Sequence, residues 1–321
     1  MQTEPKVSVM IVTYNQADFI RETLDSVLVQ DYRNLEIVVA DDASTDATPA
    51  ILKEYAAAYP TLVFPVLNER NLGITGNSNA ALNACTGELI AMLGGDDLFL
   101  PGKIRAQAAA FIADPKVTLS YHPVEIFQSE TGKVLYVTNR SRRESPLSAE
   151  EIIMHGGIDG ASSVMVRRSA VPPSGFDPRT PVVSDWLFYI EAALAGKVVK
   201  LDGVYGRYRK HARGTTQRVF DLLNETLYSL DLVVEKHPDR PELAAICRKG
   251  KARYVAGEAF RQISHDVALA HQLAQQAVAL DPYNRRYQLL LLSSKYQMPG
   301  RIAGAMLQRS KYLIKRFLLS T

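Results

Sequence analysis

Apolar positions in the first hundred residues alternate between a strand-like and a helix-like pattern. Residues 7–12 form a compact, β-branched run that ends on Thr13, Tyr14 and Asn15, and they read as a buried strand. Phe19, Leu24, Val27 and Leu28 then fall at helical spacing, which predicts a helix over 18–30. The alternation repeats. Residues 36–40 make a second strand ending on Asp41-Asp42 and the turn-like Ala43-Ser44-Thr45-Asp46. Residues 50–58 suit a helix, with Pro49 at an early position where a missing N–H costs little. A third strand over 62–67, a helix over 77–84 and a fourth strand over 88–93 follow, the last running into Gly94-Gly95-Asp96-Asp97.

Strand and helix alternating at this interval imply right-handed βαβ units and a mostly parallel sheet flanked by helices. In such a sheet ligands lie beyond the carboxyl ends of the strands. Thr13, Tyr14 and Asn15, then Asp41-Asp42, then Asp96-Asp97 should therefore meet at one edge although they are far apart in the chain. Beyond them the pattern predicts a helix over 101–114, a strand over 117–121, a hairpin-like piece at Glu130-Thr131-Gly132-Lys133 and a loop over 140–146. A strand over 163–167, a helix over 185–195 and a short strand over 198–201 complete this part. From about residue 216 the pattern is helical, broken at Pro238, Pro282 and Pro299. This divides the chain into an α/β domain over 1–215 and an α-helical C-terminal appendage over 216–321. Residues 268–280 resemble one helix of a tetratricopeptide hairpin, but a single copy fits a plain helical appendage better.

Composition narrows the class. Of 321 residues, 47% are hydrophobic and 22% charged, the balance of a folded globular chain. The net charge of +3 gives no reason to expect a nucleic-acid partner. Two cysteines, Cys85 and Cys247, have no spacing that suggests a disulfide scaffold or a zinc module. No basic segment followed by a long apolar run opens the sequence, and no stretch approaches the roughly 20 apolar residues of a membrane span, so a cytoplasmic protein is expected. There is no GxGxxG and no GKS or GKT, which disfavours dehydrogenase and P-loop chemistry.

Asp96-Asp97 follows an apolar strand and two glycines, so a bulky anionic ligand has room to approach; paired carboxylates there would hold a hard cation or form only an acidic turn. A carboxylate of Asp41-Asp42 could accept hydrogen bonds from a base or a ribose; the alternative is helix capping, to which Ser44, Thr45 and Asp46, just before a helix, are suited. Asp185, beside Trp186 at a helix start, is placed as a general base or as a carboxylate favoured by the macrodipole. His211 follows Tyr208-Arg209-Lys210 in a basic loop, where it completes a metal site or simply lies at the surface.

Taken in order, these pieces resemble the inverting glycosyltransferases of family 2, with the GT-A fold. The resemblance rests on Val7-Ser8-Val9 through Thr13-Tyr14-Asn15, Leu24-Asp25-Ser26-Val27-Leu28 with Gln30, and 39–48. It continues through Asn71-Leu72-Gly73, Gly87-Glu88-Leu89-Ile90 and Gly95-Asp96-Asp97, then less tightly through Ser184-Asp185-Trp186 and Tyr208-Arg209-Lys210-His211. It implies that Thr13, Tyr14 and Asn15 line the nucleotide pocket and that Asp42 contacts the base. Asp96 is then the ribose- and metal-side carboxylate, Asp97 the direct ligand of Mg²⁺ or Mn²⁺, and His211 its neighbour at the diphosphate. Asp185 is the catalytic base, and Arg209 or His211 helps hold the leaving diphosphate. Residues 160–168 occupy the stretch that lines the acceptor side in relatives. The sequence departs from the family pattern at Gly94, where many members carry a further aspartate, at Ser184, where a glutamate is common, and at Ser78-Asn79, where many relatives have Arg-Asn.

The implied activity is transfer from a nucleotide-sugar, UDP- or dTDP-linked, to a hydroxyl of a saccharide or lipid-linked acceptor. A nucleotidyltransferase would need a glycine-rich basic loop where Thr13-Tyr14-Asn15 stand; a scaffold with a degenerate site is the other alternative. Residues 301–321 carry Arg301, Arg309, Lys311, Lys315 and Arg316, no acidic residue, and interleaved apolar side chains. Such a segment either lies on an anionic cytoplasmic membrane face or packs on the protein itself.

Overall fold

The computed structural model describes residues 4–138, 146–156, 158, 160–211 and 219–295. The chain divides into two compact units, Met1–Arg218 and Val219–Thr321.

The first unit contains β1 (Val7–Thr13), α1 (Ile20–Leu28), β2 (Leu35–Asp41), α2 (Thr48–Ala58), β3 (Val63–Leu67), α3 (Gly73–Ala84) and β4 (Leu89–Gly94). It continues with β5 (Leu98–Phe99), α4 (Lys103–Ala113), β6 (Val117–Tyr121), β7 (Val124–Gln128), β8 (Val134–Val137) and α5 (Ala149–His155). A 3-10 turn (Ala161–Ser163), β9 (Met165–Arg167), α6 (Ser184–Leu194), β10 (Lys197–Lys200) and β11 (Gly206–Lys210) complete it. Seven strands form the main sheet in the order β10-β6-β9-β4-β1-β2-β3; a smaller sheet has the order β5-β11-β7-β8.

β1, β2 and β4 are buried on both faces, which is why they read as continuous apolar runs rather than alternating ones. Val7, Val9, Ile11, Ile37, Val39 and Leu93 share one core with Leu24 and Val27 of α1, Leu52 of α2 and Ile104 and Phe111 of α4. Leu24 is fully buried there, so truncation to alanine costs about 2–5 kcal/mol. The main sheet is mixed: β9 runs antiparallel between β4 and β6, while β1, β2, β3 and β4 are parallel neighbours.

Two local expectations need correction. Residues 206–210 are not a basic loop but strand β11, parallel to β7 and antiparallel to β5. Residues 149–155 form a short helix that the hydrophobic pattern did not announce; Ser148 caps it by accepting from the Glu151 N–H.

The second unit is helical: α7 (Val219–Lys236), α8 (Pro241–Gln262), α9 (Val267–Leu280) and α10 (Arg285–Lys295). Small side chains at its centre, Ala256 and Ala277 beside Val255, let the helices approach, with Leu227, Leu273, Tyr287 and Leu290 closing around them. Asp266 caps α9 through the Leu269 N–H. Cys85 in the first unit and Cys247 in the second are both buried, free thiols. No helix among the described residues is long and apolar enough to cross a membrane. The basic C-terminal segment at 301–321 lies outside the described residues.

Candidate active site

The parallel register aligns the ends of the central strands: Thr13 pairs with Asp41, and Val12 with Gly94. The polar runs that leave β2, β1 and β4 therefore emerge side by side on one rim. Because β9 is antiparallel to β4, its N-terminal end comes to that same rim, and the Ala161–Ser163 turn arrives beside Asp97. Strand β11 reaches it from the other side, since β5 leaves the Asp96-Asp97 turn and pairs with Gly206 and Arg207.

On the β1–β2 side the loops are held by hydrogen bonds rather than by packing. Asp41 accepts from both the backbone N–H and the hydroxyl of Ser44, at 3.0 and 2.5 Å. Asn15, at φ 51°, accepts from the Thr45 N–H at 2.9 Å, and its own N–H donates to the Ser44 hydroxyl at 2.8 Å. Asparagine tolerates that left-handed conformation; Ala43, at φ 57°, does so less readily, and its neighbours' bonds hold it there. Asp42 is buried, with one carboxylate oxygen accepting the Leu72 N–H at 2.7 Å. Asn77 donates to the carbonyls of Thr13 and Ala40, fixing the ends of β1 and β2 together. Asp41 braces its own loop through Ser44, Asp46 accepts the Thr48 N–H at the start of α2, and Asp42 lines the cleft.

The acidic turn is built from three directions. The Gly95 N–H donates to the Val12 carbonyl, and a Cβ at Gly95 would lie 2.4 Å from Gln16 Oε1 and 2.8 Å from Thr13 Oγ1, so any side chain there forces Gln16 and Thr13 to shift. Asp97 is 3% exposed and both its oxygens are engaged, one with the Arg209 N–H and one with the Ser162 hydroxyl, each at 2.9 Å. Burial, and then the charge of Asp96, push its carboxyl well above the ordinary carboxylate range, and the two donors pull the other way. Asp96 is more open. Its Oδ2 lies 2.9 Å from His211 Nε2, and the imidazole rests against the Phe19 ring.

Arg209 does not extend into the cleft as a free cation. Its guanidinium lies between the Phe19 and Phe127 rings, 4.9 and 4.7 Å from their centroids. Its Nε donates to the Asp96 carbonyl at 2.7 Å and its Nη2 to Glu22 at 2.5 Å. The exposed cation on this strand is the next residue, Lys210.

Thr13, Tyr14, Asn15, Asp42, Asp96, Asp97, Asp185, Arg209 and His211 all line one cleft of about 1130 Å³. Tyr14 is 48% exposed at its β1 side. Asp185 stands exposed in the first turn of α6, where the Trp186 N–H donates to its Oδ1 at 2.7 Å. Among the described residues no three His, Cys, Asp or Glu side chains converge as a closed metal site.

The family model described as "Glycosyl transferase family 2" matches residues 8–171, half of the chain and all of this rim up to β9. The chain belongs to glycosyl transferase family 2. An uncharacterized protein of Mycobacterium tuberculosis is 35% identical over 211 residues, 65% of this chain and 60% of the relative. The match thus spans less than two thirds of that relative's length. Among solved structures, Staphylococcus aureus TarS 1-349 in complex with UDP-GlcNAc aligns with a TM-score of 0.63 at 18% identity, over 91% of this chain and 88% of that one. A mannosyltransferase of Pyrobaculum calidifontis, in complex with GDP-Man and Mn²⁺, aligns with a TM-score of 0.56 at 22% identity, over 92% and 86%. The fold is the GT-A fold expected of the family, a mostly parallel sheet flanked by helices with a helical C-terminal extension.

Three residues that shape this family 2 site take parts in it that their sequence context does not show. Glu22 looks like an ordinary exposed helix carboxylate, and nothing in its surroundings signals a bond to Arg209, 187 residues away. Ser162 reads as part of a turn; its hydrogen bond to Asp97 depends on β9 being antiparallel. Ser184, at the position that departs from the family pattern, is buried and accepts from Thr75 at 2.9 Å, so the departure leaves no unfilled polar site.

Proposed function

We propose that the chain is an inverting glycosyltransferase that moves a sugar from a nucleoside-diphosphate donor to a hydroxyl of a saccharide or lipid-linked acceptor. The observation that carries this reading is the meeting of the Asp96–His211 pair and Asp185 in one cleft whose other end is lined by Asp42 and Tyr14. In the reading, Tyr14, Asn15 and Asp42 receive the nucleoside, with Thr13 beneath them.

Asp96 and His211 suit a cation. Two adjacent ligands on an octahedron with bonds of 2.0–2.1 Å stand roughly 2.9–3.0 Å apart, and these two atoms are 2.9 Å apart. A two-residue site also fits Mg²⁺ or Mn²⁺, which keep waters and take the remaining ligands from substrate phosphates. This reading moves the direct ligand from Asp97 to Asp96, because the oxygens of Asp97 are already engaged by Arg209 and Ser162. Asp97 instead braces the turn, and Arg209 positions it rather than touching the diphosphate. When bound, the cation neutralises charge that builds on the leaving diphosphate. Asp185 takes the proton from the acceptor hydroxyl as that oxygen attacks the anomeric carbon from the face opposite the leaving group, which inverts the configuration.

The test is consumption of a panel of UDP-, dTDP- and GDP-sugars with Mn²⁺, with EDTA and Asp185→Asn as controls. Metal-dependent turnover of one donor, lost in the variant, supports the reading. Folded protein that neither binds nor turns over any donor removes it.

A further inference from the structure

The smaller sheet has two unlike faces. Cross-strand register puts Tyr208 opposite Ile126, and Ile126 opposite Tyr136, so these three side chains form one row across β11, β7 and β8. Lys210, two residues beyond Tyr208, shares that face, and its Nζ lies 5.5 Å from the Tyr136 ring centroid. The row and Lys210 all line the cleft. The opposite face carries Arg209 and Phe127, the packing already described.

Position along the rim separates this face from the donor site. Following the order of the strands, Asp42 leaves β2, the Thr13 loop leaves β1, Asp96 leaves β4, and the Ala161–Ser163 turn enters β9. The smaller sheet joins the rim past Asp97, where β5 follows the acidic turn after β4 and pairs with β11, whereas Asp42 follows β2, beyond β1 from β4. The cleft of about 1130 Å³ exceeds the ~300–1,000 Å³ typical of a site for one small molecule. Tyr136 is 52% exposed there, an aromatic ring left open inside a concavity rather than packed away.

Resting on the glycosyltransferase reading, we infer that this row is the acceptor subsite: a saccharide ring lies against Tyr136, flanked by Tyr208, with Lys210 donating to its polar edge. A pyranose presents a face of C–H bonds rimmed by hydroxyls. The negative face of a tyrosine ring meets the first, and the phenol and ammonium groups meet the second. A protein partner fits worse, because the row lines the same cleft as Asp185, where a small acceptor hydroxyl has to arrive.

The experiment uses the full chain loaded with Mn²⁺ and whichever of UDP, dTDP and GDP binds. It is titrated with p-nitrophenyl β-glycosides of glucose, N-acetylglucosamine, galactose and glucuronic acid, followed by calorimetry and saturation-transfer-difference NMR. Tyr136→Ala should raise the dissociation constant of the bound glycoside about tenfold, while Tyr136→Phe stays within about twofold of wild type. Nucleotide affinity should be the same in all three proteins. Failure of wild type to bind any nucleotide strikes the donor reading itself. Normal nucleotide binding with no glycoside bound, or with Tyr136→Ala binding as wild type does, overturns the acceptor subsite alone.

Discussion

Replacing Arg209 by alanine removes three interactions at once, and their sizes can be worked from the geometry. The Nε bond to the Asp96 carbonyl is charge-assisted and partly buried, contributing about 1.5–3 kcal/mol. The two aromatic rings that enclose the guanidinium add about 1–2 kcal/mol between them. Glu22, 59% exposed, is left free to hydrate, so its pair contributes roughly 0–1 kcal/mol. The expected loss is therefore about 2.5–6 kcal/mol, measured as the change in unfolding free energy in urea. Arg209→Lys restores the charge but neither the fork geometry nor the stacking, and should recover less than half of that loss. Because the carbonyl that Arg209 holds belongs to Asp96, both variants should lower kcat/KM for the donor in step with the stability loss. A fully stable Arg209→Ala protein with a selectively raised donor KM would refute this, since it would mean that the guanidinium serves the diphosphate directly.

Three further outcomes follow from other parts of the chain. Burial disfavours the Glu36 anion, yet hydrogen bonds from Lys6, Ser8 and Thr86 outweigh it and draw its carboxyl from 4.5 down to about 2. A lowered folded value means stability that is present above the unfolded value and lost as pH falls; it amounts to roughly 3 kcal/mol. Urea unfolding of wild type and Glu36→Gln should thus differ at pH 7 and converge as pH falls from about 4.5 to about 2. Gly95→Ala places a methyl group against Gln16 and Thr13 and should cost about 1–3 kcal/mol and displace Asp96, measured as lost donor turnover with the fold retained by circular dichroism. Removing residues 301–321, with their five basic side chains and no acidic one, should reduce sedimentation with phosphatidylserine-containing vesicles and leave neutral vesicles unaffected; equal binding by both proteins would remove the membrane reading of that segment.

How much of this was legible in the sequence depended on where each signal comes from. Strands β1, β2 and β4 are buried on both faces, so their apolar runs announce them, and the polar residues after each run mark the rim without any knowledge of tertiary contacts. Strand β11 was misread because its inward face is supplied by Arg209, whose charge is neutralised by Glu22 and covered by two aromatic rings distant in the chain. Residue type there points to a solvated loop, and only the packing makes it a strand. The different surroundings of Asp96 and Asp97 were hidden for the same reason. Adjacent carboxylates are chemically alike until the β9 turn and the β11 backbone take both oxygens of one of them. Asp185 was visible as a helix-start carboxylate, but its place on the same cleft as Asp96 comes from the fold.

The claim on which the rest depends is that Asp96 and His211 hold a divalent cation beneath the donor diphosphate. Electron paramagnetic resonance of Mn²⁺ added with nucleoside diphosphate to wild type, Asp96→Asn and Asp97→Asn tests it directly. Wild type should give a bound Mn²⁺ signal, Asp96→Asn should lose it, and Asp97→Asn should still take Mn²⁺ on a less stable fold. Undiminished Mn²⁺ binding by Asp96→Asn, with binding lost in a fully stable Asp97→Asn protein, would contradict it.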